Sequence, residues 1–226
     1  MRGRRVTPAQ GTERFRNTPG GVELHEVDRN TEQRFRYDEA FARNVGWVTP
    51  DEQWVLRSKR VAIAGLGGVG GSHALTLARL GIGGLNLSDL DRFDVANLNR
   101  QAGAFTSTLG QAKVEVVERL VKDVNPELDV RTFPAGITES NVDEFLADVD
   151  LYVDGLDFFA IEARRRVFAA CAKLGIPAVT AAPLGMGAAV LNFLPGGMTF
   201  EDYFQLEGLT EQATRAFPAG AIAGNA

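Results

Sequence analysis

The chain has 226 residues, 45% hydrophobic and 23% charged, with a net charge of −5. That is enough for one domain with a well-buried core, and the acidic balance disfavours nucleic-acid binding driven by bulk charge. A single cysteine, Cys171, excludes an internal disulfide framework and a four-cysteine zinc site, and it fits a reducing, cytoplasmic setting. No run of about 18 apolar residues is present, so no transmembrane helix is expected.

Residues 1 to about 35 are polar and arginine-rich and read as an arm with little order of its own, marked by the turn Thr18-Pro19-Gly20-Gly21. A helical pattern runs from Phe35 to Leu56 and breaks at Thr49-Pro50, where Thr49 can cap a helix begun by Pro50. Strands and helices then alternate. Strands are expected at Arg60–Ala64, Leu85–Ser88, Asp129–Phe133, Asp150–Val153 and Ala178–Ala181, and helices at Gly68–Leu80, Gly110–Val124, Val142–Ala147 and Phe158–Leu174. This rhythm predicts an α/β, Rossmann-like, doubly wound and mostly parallel sheet with a helical N-terminal arm. After Pro183 the rhythm changes, and Ala188–Leu194 reads as an antiparallel extension after the fifth strand. The tail from Pro218 to Ala226 is small and bland: a loop, or a chain that stops before its last elements.

The stretch Ile63-Ala64-Gly65-Leu66-Gly67-Gly68-Val69-Gly70-Gly71 follows an apolar strand and opens a helix. In that context Gly65, Gly67, Gly68 and Gly70 let backbone N–H groups approach a phosphate closely. Asp89 ends the next strand, where an acid can accept hydrogen bonds from ribose hydroxyls; Asp91 is a second candidate, and the two could share a metal. Arg100 and Lys113 are cations able to neutralise a triphosphate and a leaving pyrophosphate. Lys113 falls in the first turn of a helix, where the dipole favours an acid, so an anion is expected beside it. Asp154 and Asp157 follow the fourth strand, and either could hold Mg²⁺ through water; a helix cap is the plainer role for Asp157. Cys171 reads as a small buried residue, His25 and His73 are isolated, and Arg164-Arg165-Arg166 reads as a solvated helix face.

Together these residues resemble the MoeB/ThiF/HesA adenylyltransferases, related to the adenylation domains of ubiquitin-activating enzymes. The match runs from about Arg43 to Leu194. It includes Gly65-Leu66-Gly67-Gly68-Val69-Gly70, Leu80-Gly81-Ile82-Gly83, Asp89-Leu90-Asp91, Asn97-Leu98-Asn99-Arg100-Gln101, Gly110-Gln111-Ala112-Lys113-Val114 and Asn125-Pro126. The resemblance implies use of ATP and Mg²⁺ to adenylate a carboxylate with release of pyrophosphate. The carboxylate would be the C-terminal glycine of a ubiquitin-like or sulfur-carrier protein, a peptide C-terminus, or a modified-nucleotide carboxylate, the negative net charge making a transfer-RNA substrate the less attractive of these. It further implies that Asp89 holds the ribose, that Arg100 and Lys113 contact phosphates, that Asp157 binds Mg²⁺, and that Asn97 and Gln101 shape the phosphate pocket. Arg43 would reach into a partner subunit's site, making a homodimer with shared sites. On this reading residues 1–57 form the arm and its helices, and residues 58–226 the ATP-binding adenylation domain. Many relatives carry two zinc-binding Cys-x-x-Cys pairs, and many a catalytic cysteine beyond the core; this sequence has neither, so no structural zinc is expected and the product is expected to stop at the acyl-adenylate or pass on elsewhere. Asp157 is followed by Phe158, where relatives commonly carry Asn. The rival readings are a nicotinamide- or flavin-dependent oxidoreductase of the same fold, which has little use for a triphosphate clamp, and a non-catalytic scaffold subunit.

Overall fold

The computed structural model describes residues 34–157 and 160–208. Two short helices, α1 (Tyr37–Ala40) and α2 (Pro50–Arg57), precede the sheet, joined by a 3-10 turn at Ala42–Asn44. The helical pattern from Phe35 to Leu56 breaks at Thr49-Pro50 as expected, and its first part is shorter than expected, since α1 ends at Ala40. Thr49 supplies the break: its hydroxyl accepts from the Glu52 N–H, and the Glu52 carboxylate accepts from the Thr49 N–H.

The sheet has six strands in the order β3-β2-β1-β4-β5-β6, with ranges β1 Arg60–Ala64, β2 Gly84–Ser88, β3 Asp129–Phe133, β4 Leu151–Asp154, β5 Ala178–Leu184 and β6 Gly187–Phe193. The first five are parallel and β6 runs antiparallel to β5, as the sequence rhythm predicts. Strand β5 continues past its expected end through Pro183. Its pairing with β4 ends at Thr180, opposite Asp154, so a residue without an N–H costs no bond on that side.

Helices cover both faces. They are α3 (Gly70–Leu80), α4 (Lys113–Val124), α5 (Val142–Phe145), α6 (Ile161–Leu174) and α7 (Phe200–Phe204). The alternation of β1 shows why. Val61 and Ile63 pack with Ala74, Ala78, Val114 and Val117 under α3 and α4, while Ala62 and Ala64 pack with Phe145, Tyr152, Val167 and Phe168 under α5 and α6. A strand buried on both faces reads as a continuous apolar run, and β1 is buried from Val61 to Ala64. One polar side chain inside, Asn86, is satisfied: its Nδ2 donates to the Phe145 carbonyl at 2.7 Å, and its Oδ1 accepts from Arg60 at 2.9 Å.

Helix α4 starts at Lys113 rather than Gly110. The Gly110 N–H donates to the Phe93 carbonyl, the Phe93 N–H to the Gln111 carbonyl, and Arg92 bridges Ala112, so the chain turns through Gly110 and Gln111 and is extended at Ala112, the residue before Lys113. Gly110 also sits at φ +78°, outside the helical region. Phe93, packed with Ala104 and Val116, ties the long segment between β2 and α4 to the core. Helix α6 likewise starts later than Phe158, at Ile161. The tail from Pro218 and the arm up to residue 33 lie outside the described residues.

Candidate nucleotide site

All candidate groups but one gather at the carboxyl edge of the parallel strands, where open α/β sheets bind ligands. The turn from β1 into α3 is built on backbone packing. Gly65 has φ +83°, and a Cβ on Gly70 would collide with the Gly65 carbonyl. A Cβ on Gly155, just past β4, would collide with the same carbonyl. The absence of side chains at these positions lets the end of β4 lie directly against the glycine turn. Gly71 and His73 donate backbone hydrogen bonds to Gly67 and Val69, opening a helix whose first N–H groups have no side-chain cap.

Asp89 closes the other side of this turn. One oxygen accepts from the Leu66 N–H at 2.6 Å and the other from the Asp91 N–H at 2.8 Å. A carboxylate has about four acceptor sites, so two remain for ribose hydroxyls. Burial pushes the Asp89 pKa above the ordinary aspartate value, against the opposing pull of those two N–H bonds and of the Lys113 charge.

Arg100 and Gln101 lie against the glycine turn, on a segment shaped by Asn97. The Asn97 side chain accepts from the Asp94 N–H at 2.9 Å, and its carbonyl accepts from the N–H groups of Arg100 and Gln101. Asn97 thus supports the pocket's carriers. A Cβ on Gly68 would sit 3.5 Å from Arg100 Cγ, and one on Gly67 3.6 Å from Gln101 Nε2. The Arg100 guanidinium is exposed and donates to the Ala96 carbonyl and to Asn99. Gln101 is 8% exposed, and its Oε1 is buried without a hydrogen-bond partner among the described residues.

Lys113 is buried at the first residue of α4. The anion expected beside it comes from the chain itself: Nζ lies 3.0 Å from Asp91 Oδ2, and the Lys113 N–H donates to the Asp91 carbonyl. Asp91 therefore stands as the lysine's counter-ion in this structure rather than as a second ribose acid.

The two aspartates after β4 separate sharply. Asp154 is 2% exposed and its carboxylate is engaged by Arg164 Nε at 2.7 Å, Thr180 Oγ1 at 2.8 Å, the Leu156 N–H at 3.2 Å and the Tyr152 hydroxyl at 3.3 Å. It has no capacity left for a metal, which removes it from the candidates. Asp157 is exposed and lies three residues before Ala160, the residue that precedes α6; its carbonyl accepts from the Ala160 N–H.

The arginine run is not a solvated face. Arg164 pairs with Asp154 and also donates to the Leu156 carbonyl at 2.6 Å, fastening the loop that leads to Asp157. Arg165 makes a two-pronged pair with Glu201 on α7, and Arg166 donates to the Ile137 carbonyl. Arg164 is the residue that sequence reasoning missed. Cys171 is 1% exposed among α6 and its neighbours, and burial pushes its thiol up to about 12, which agrees with a packing role.

Arg43 is the one candidate elsewhere. It is exposed in the 3-10 turn after α1, and neighbouring Asn44 donates to Gln53 Oε1 and to the carbonyls of Arg79 and Leu80. That fastens Arg43 at the carboxyl end of α3, opposite the glycine turn.

Residues 41–224 match the model of the ThiF family. The chain belongs to this family. It is 34% identical over 150 residues to a tRNA threonylcarbamoyladenosine dehydratase of Bacillus subtilis, covering 66% of this chain and 57% of that protein. It is 32% identical over 143 residues to the molybdopterin-synthase adenylyltransferase of Escherichia coli, covering 63% of this chain and 57% of that protein. Among solved structures, the E. coli tRNA N6-threonylcarbamoyladenosine dehydratase in complex with ATP superposes with a TM-score of 0.60 at 29% identity, over 63% of this chain and 58% of that chain. The ThiF-family chain described here thus spans a little over half the length of these curated relatives.

Proposed function

We propose that this chain is an ATP-dependent adenylating domain that activates a carboxylate as an acyl-AMP. The observation that carries the reading is the packing of Gly155 on the Gly65–Gly70 turn, which sets the Asp157 loop beside a phosphate-binding turn flanked by Asp89, Arg100 and Gln101. An oxidoreductase needs the glycine turn and the ribose acid. It has no evident need for Lys113, Arg100 and Asp157 around the same crevice. ATP complexes of a family member support the choice of nucleotide.

The chemistry is positioning and charge neutralisation. A substrate carboxylate oxygen attacks the α-phosphorus, the bond to the bridging oxygen breaks, and pyrophosphate leaves with the electron pair. Asp89 would orient the ribose. The first N–H groups of α3 would meet the phosphates, and Arg100 and Lys113 would offset the charge that builds on the leaving group. No protein nucleophile is required, which agrees with Cys171 being buried and protonated.

Magnesium belongs to this reading as an expectation. Among the described residues no three His, Cys, Asp or Glu side chains cluster into a cage that could hold a metal alone. Magnesium with a nucleotide needs no cage: one or two carboxylates suffice beside phosphate oxygens and water. Asp157, exposed at the site, is a donor of that kind, whereas Asp154 is not. Bound there, the ion would supply charge neutralisation at the phosphates.

Arg43 supports a homodimer with shared sites. Helix α3 has 11 residues and so spans about 16 Å, longer than an arginine side chain. An arginine fastened at its carboxyl end does not reach the glycine turn at its amino end, so a phosphate contact by Arg43 is a contact to another copy. For the acyl substrate we favour the C-terminal tail of a small carrier protein. One relative is a sulfur carrier protein ThiS adenylyltransferase, while others are named for a modified tRNA. The net charge of −5 disfavours the second class.

Calorimetry with Mg-ATP and with NADH on the same preparation tests the reading. We expect ATP to bind and NADH not to; a pyrophosphate-exchange screen over carrier-protein tails, free peptides and tRNA then identifies the carboxylate. NADH binding without ATP binding refutes the adenylating function, and binding of neither supports a scaffold.

A further inference from the structure

We propose that Asp91 is a built-in substitute for the nucleotide's phosphate, and that ATP binds by displacing it from Lys113. The inference rests on the adenylating reading and concerns how tightly the site holds the pyrophosphate end of its ligands.

The geometry points to an exchange rather than a permanent pair. Lys113 places a cation at the amino end of α4, which the helix dipole disfavours, and its side chain is 7% exposed. A buried ammonium needs an anion, and among the described residues Asp91 is its ionic partner. Asp91 is different: its side chain is 58% exposed, on the solvent side of the pair. The lysine faces inward and the acid sits at the rim, where an incoming polyphosphate arrives.

The backbone under the pair is pinned. The Asp91 N–H donates to Asp89, and the Asp91 carbonyl accepts from the Lys113 N–H. The side chain of Asp91 can therefore turn into water by bond rotation, with no shift of the segment that carries it. Asp89 joins the two halves of the site, because it also accepts from Leu66 in the glycine turn. Nucleotide binding then replaces one anion on Lys113 by another. The ion pair lost in each binding event weakens the hold on triphosphate and on pyrophosphate, and it is restored when pyrophosphate leaves. Asp91 is thus a positioning residue that acts through Lys113 and sets the ease of product release.

The test uses the full chain and two ligands, ATP and pyrophosphate, with adenosine as the control that carries no phosphate. Asp91→Asn should bind both phosphate ligands about fivefold more tightly, the scale of a partly exposed ion pair, and bind adenosine as the parent does. Asp91→Glu, which keeps the charge, should stay near the parent. In a Lys113→Ala background, Asp91→Asn should change little, because the lysine it competes for is gone. If Asp91→Asn fails to fold, Asp91→Ser is measured in its place. Unchanged or weaker pyrophosphate binding by a folded variant overturns the exchange, as does equal tightening with and without Lys113. A parent chain that binds neither ATP nor pyrophosphate overturns the nucleotide reading itself, and the exchange with it.

Discussion

Arg164→Met removes the charge that holds Asp154. The Asp154 side chain is 1% exposed and that of Arg164 11%, so the pair is largely out of water. Breaking a buried pair by deleting one partner costs about 3–5 kcal/mol, because the remaining charge is left uncompensated. Asp154 keeps three donors, from Thr180, Leu156 and Tyr152, which places the expected loss at the low end, about 3 kcal/mol. For a chain of this size that lowers the melting temperature by about 6–12 °C. Urea unfolding followed by circular dichroism measures it, with the midpoint falling and the slope unchanged. The double variant Asp154→Asn/Arg164→Met removes both charges and should recover most of the loss. A single variant that loses under about 1 kcal/mol, or a double variant no better than the single, refutes the claim that this pair anchors the loop bearing Asp157.

Gly70→Ala should cost about 2–3 kcal/mol, since its Cβ meets the Gly65 carbonyl; Gly110→Ala, with open space around its Cβ and only a positive φ against it, should cost about 1 kcal/mol. Equal losses in thermal unfolding would refute the close packing of the turn. The raised pKa of Asp89 means that it takes up a proton at a higher pH than an ordinary aspartate, so ATP affinity should fall on acidification earlier than for an unperturbed acid. That component should be missing from Asp89→Asn, and calorimetry across mildly acidic pH reads the difference. The stability sign runs the other way: the cost of holding Asp89 charged is absent below its unfolded pKa and grows as pH rises through the folded one. Cys171 should resist a thiol reagent in the native chain at mildly alkaline pH and react once the chain is unfolded; rapid native labelling would contradict its burial and its thiol at about 12. Arg43→Ala and Arg100→Ala chains, each inactive alone, should regain partial adenylation when mixed and allowed to exchange subunits, and no recovery in proven mixed dimers would count against shared sites.

The fold was legible because its signals are local. Val61 and Ile63 alternate with Ala62 and Ala64 in a run buried on both faces, Gly81 and Gly175 stop their helices in left-handed conformations, and Thr49 breaks the pattern ahead of Pro50. The glycine turn and the acid at the tip of β2 were legible for the same reason. The features that are not legible depend on partners far along the chain. The late start of α4 follows from a bridge between Arg92 and Ala112. The use of Asp154 follows from Arg164 and Thr180, on two other elements. A signal for Arg164 did exist: consecutive helical residues point about 100° apart, so three arginines in a row cannot all face water on a helix packed against a sheet. Lys113 carries the more general lesson. Its position broke a local rule, and that mismatch correctly announced an anion. The rule could not say whose anion it was. The structure gives Asp91, 22 positions earlier. A misplaced cation at a candidate nucleotide site therefore has to be read in two states, one with the chain's own acid and one with the proposed ligand's. The difference between those states, more than either contact alone, sets how firmly the site holds what it binds.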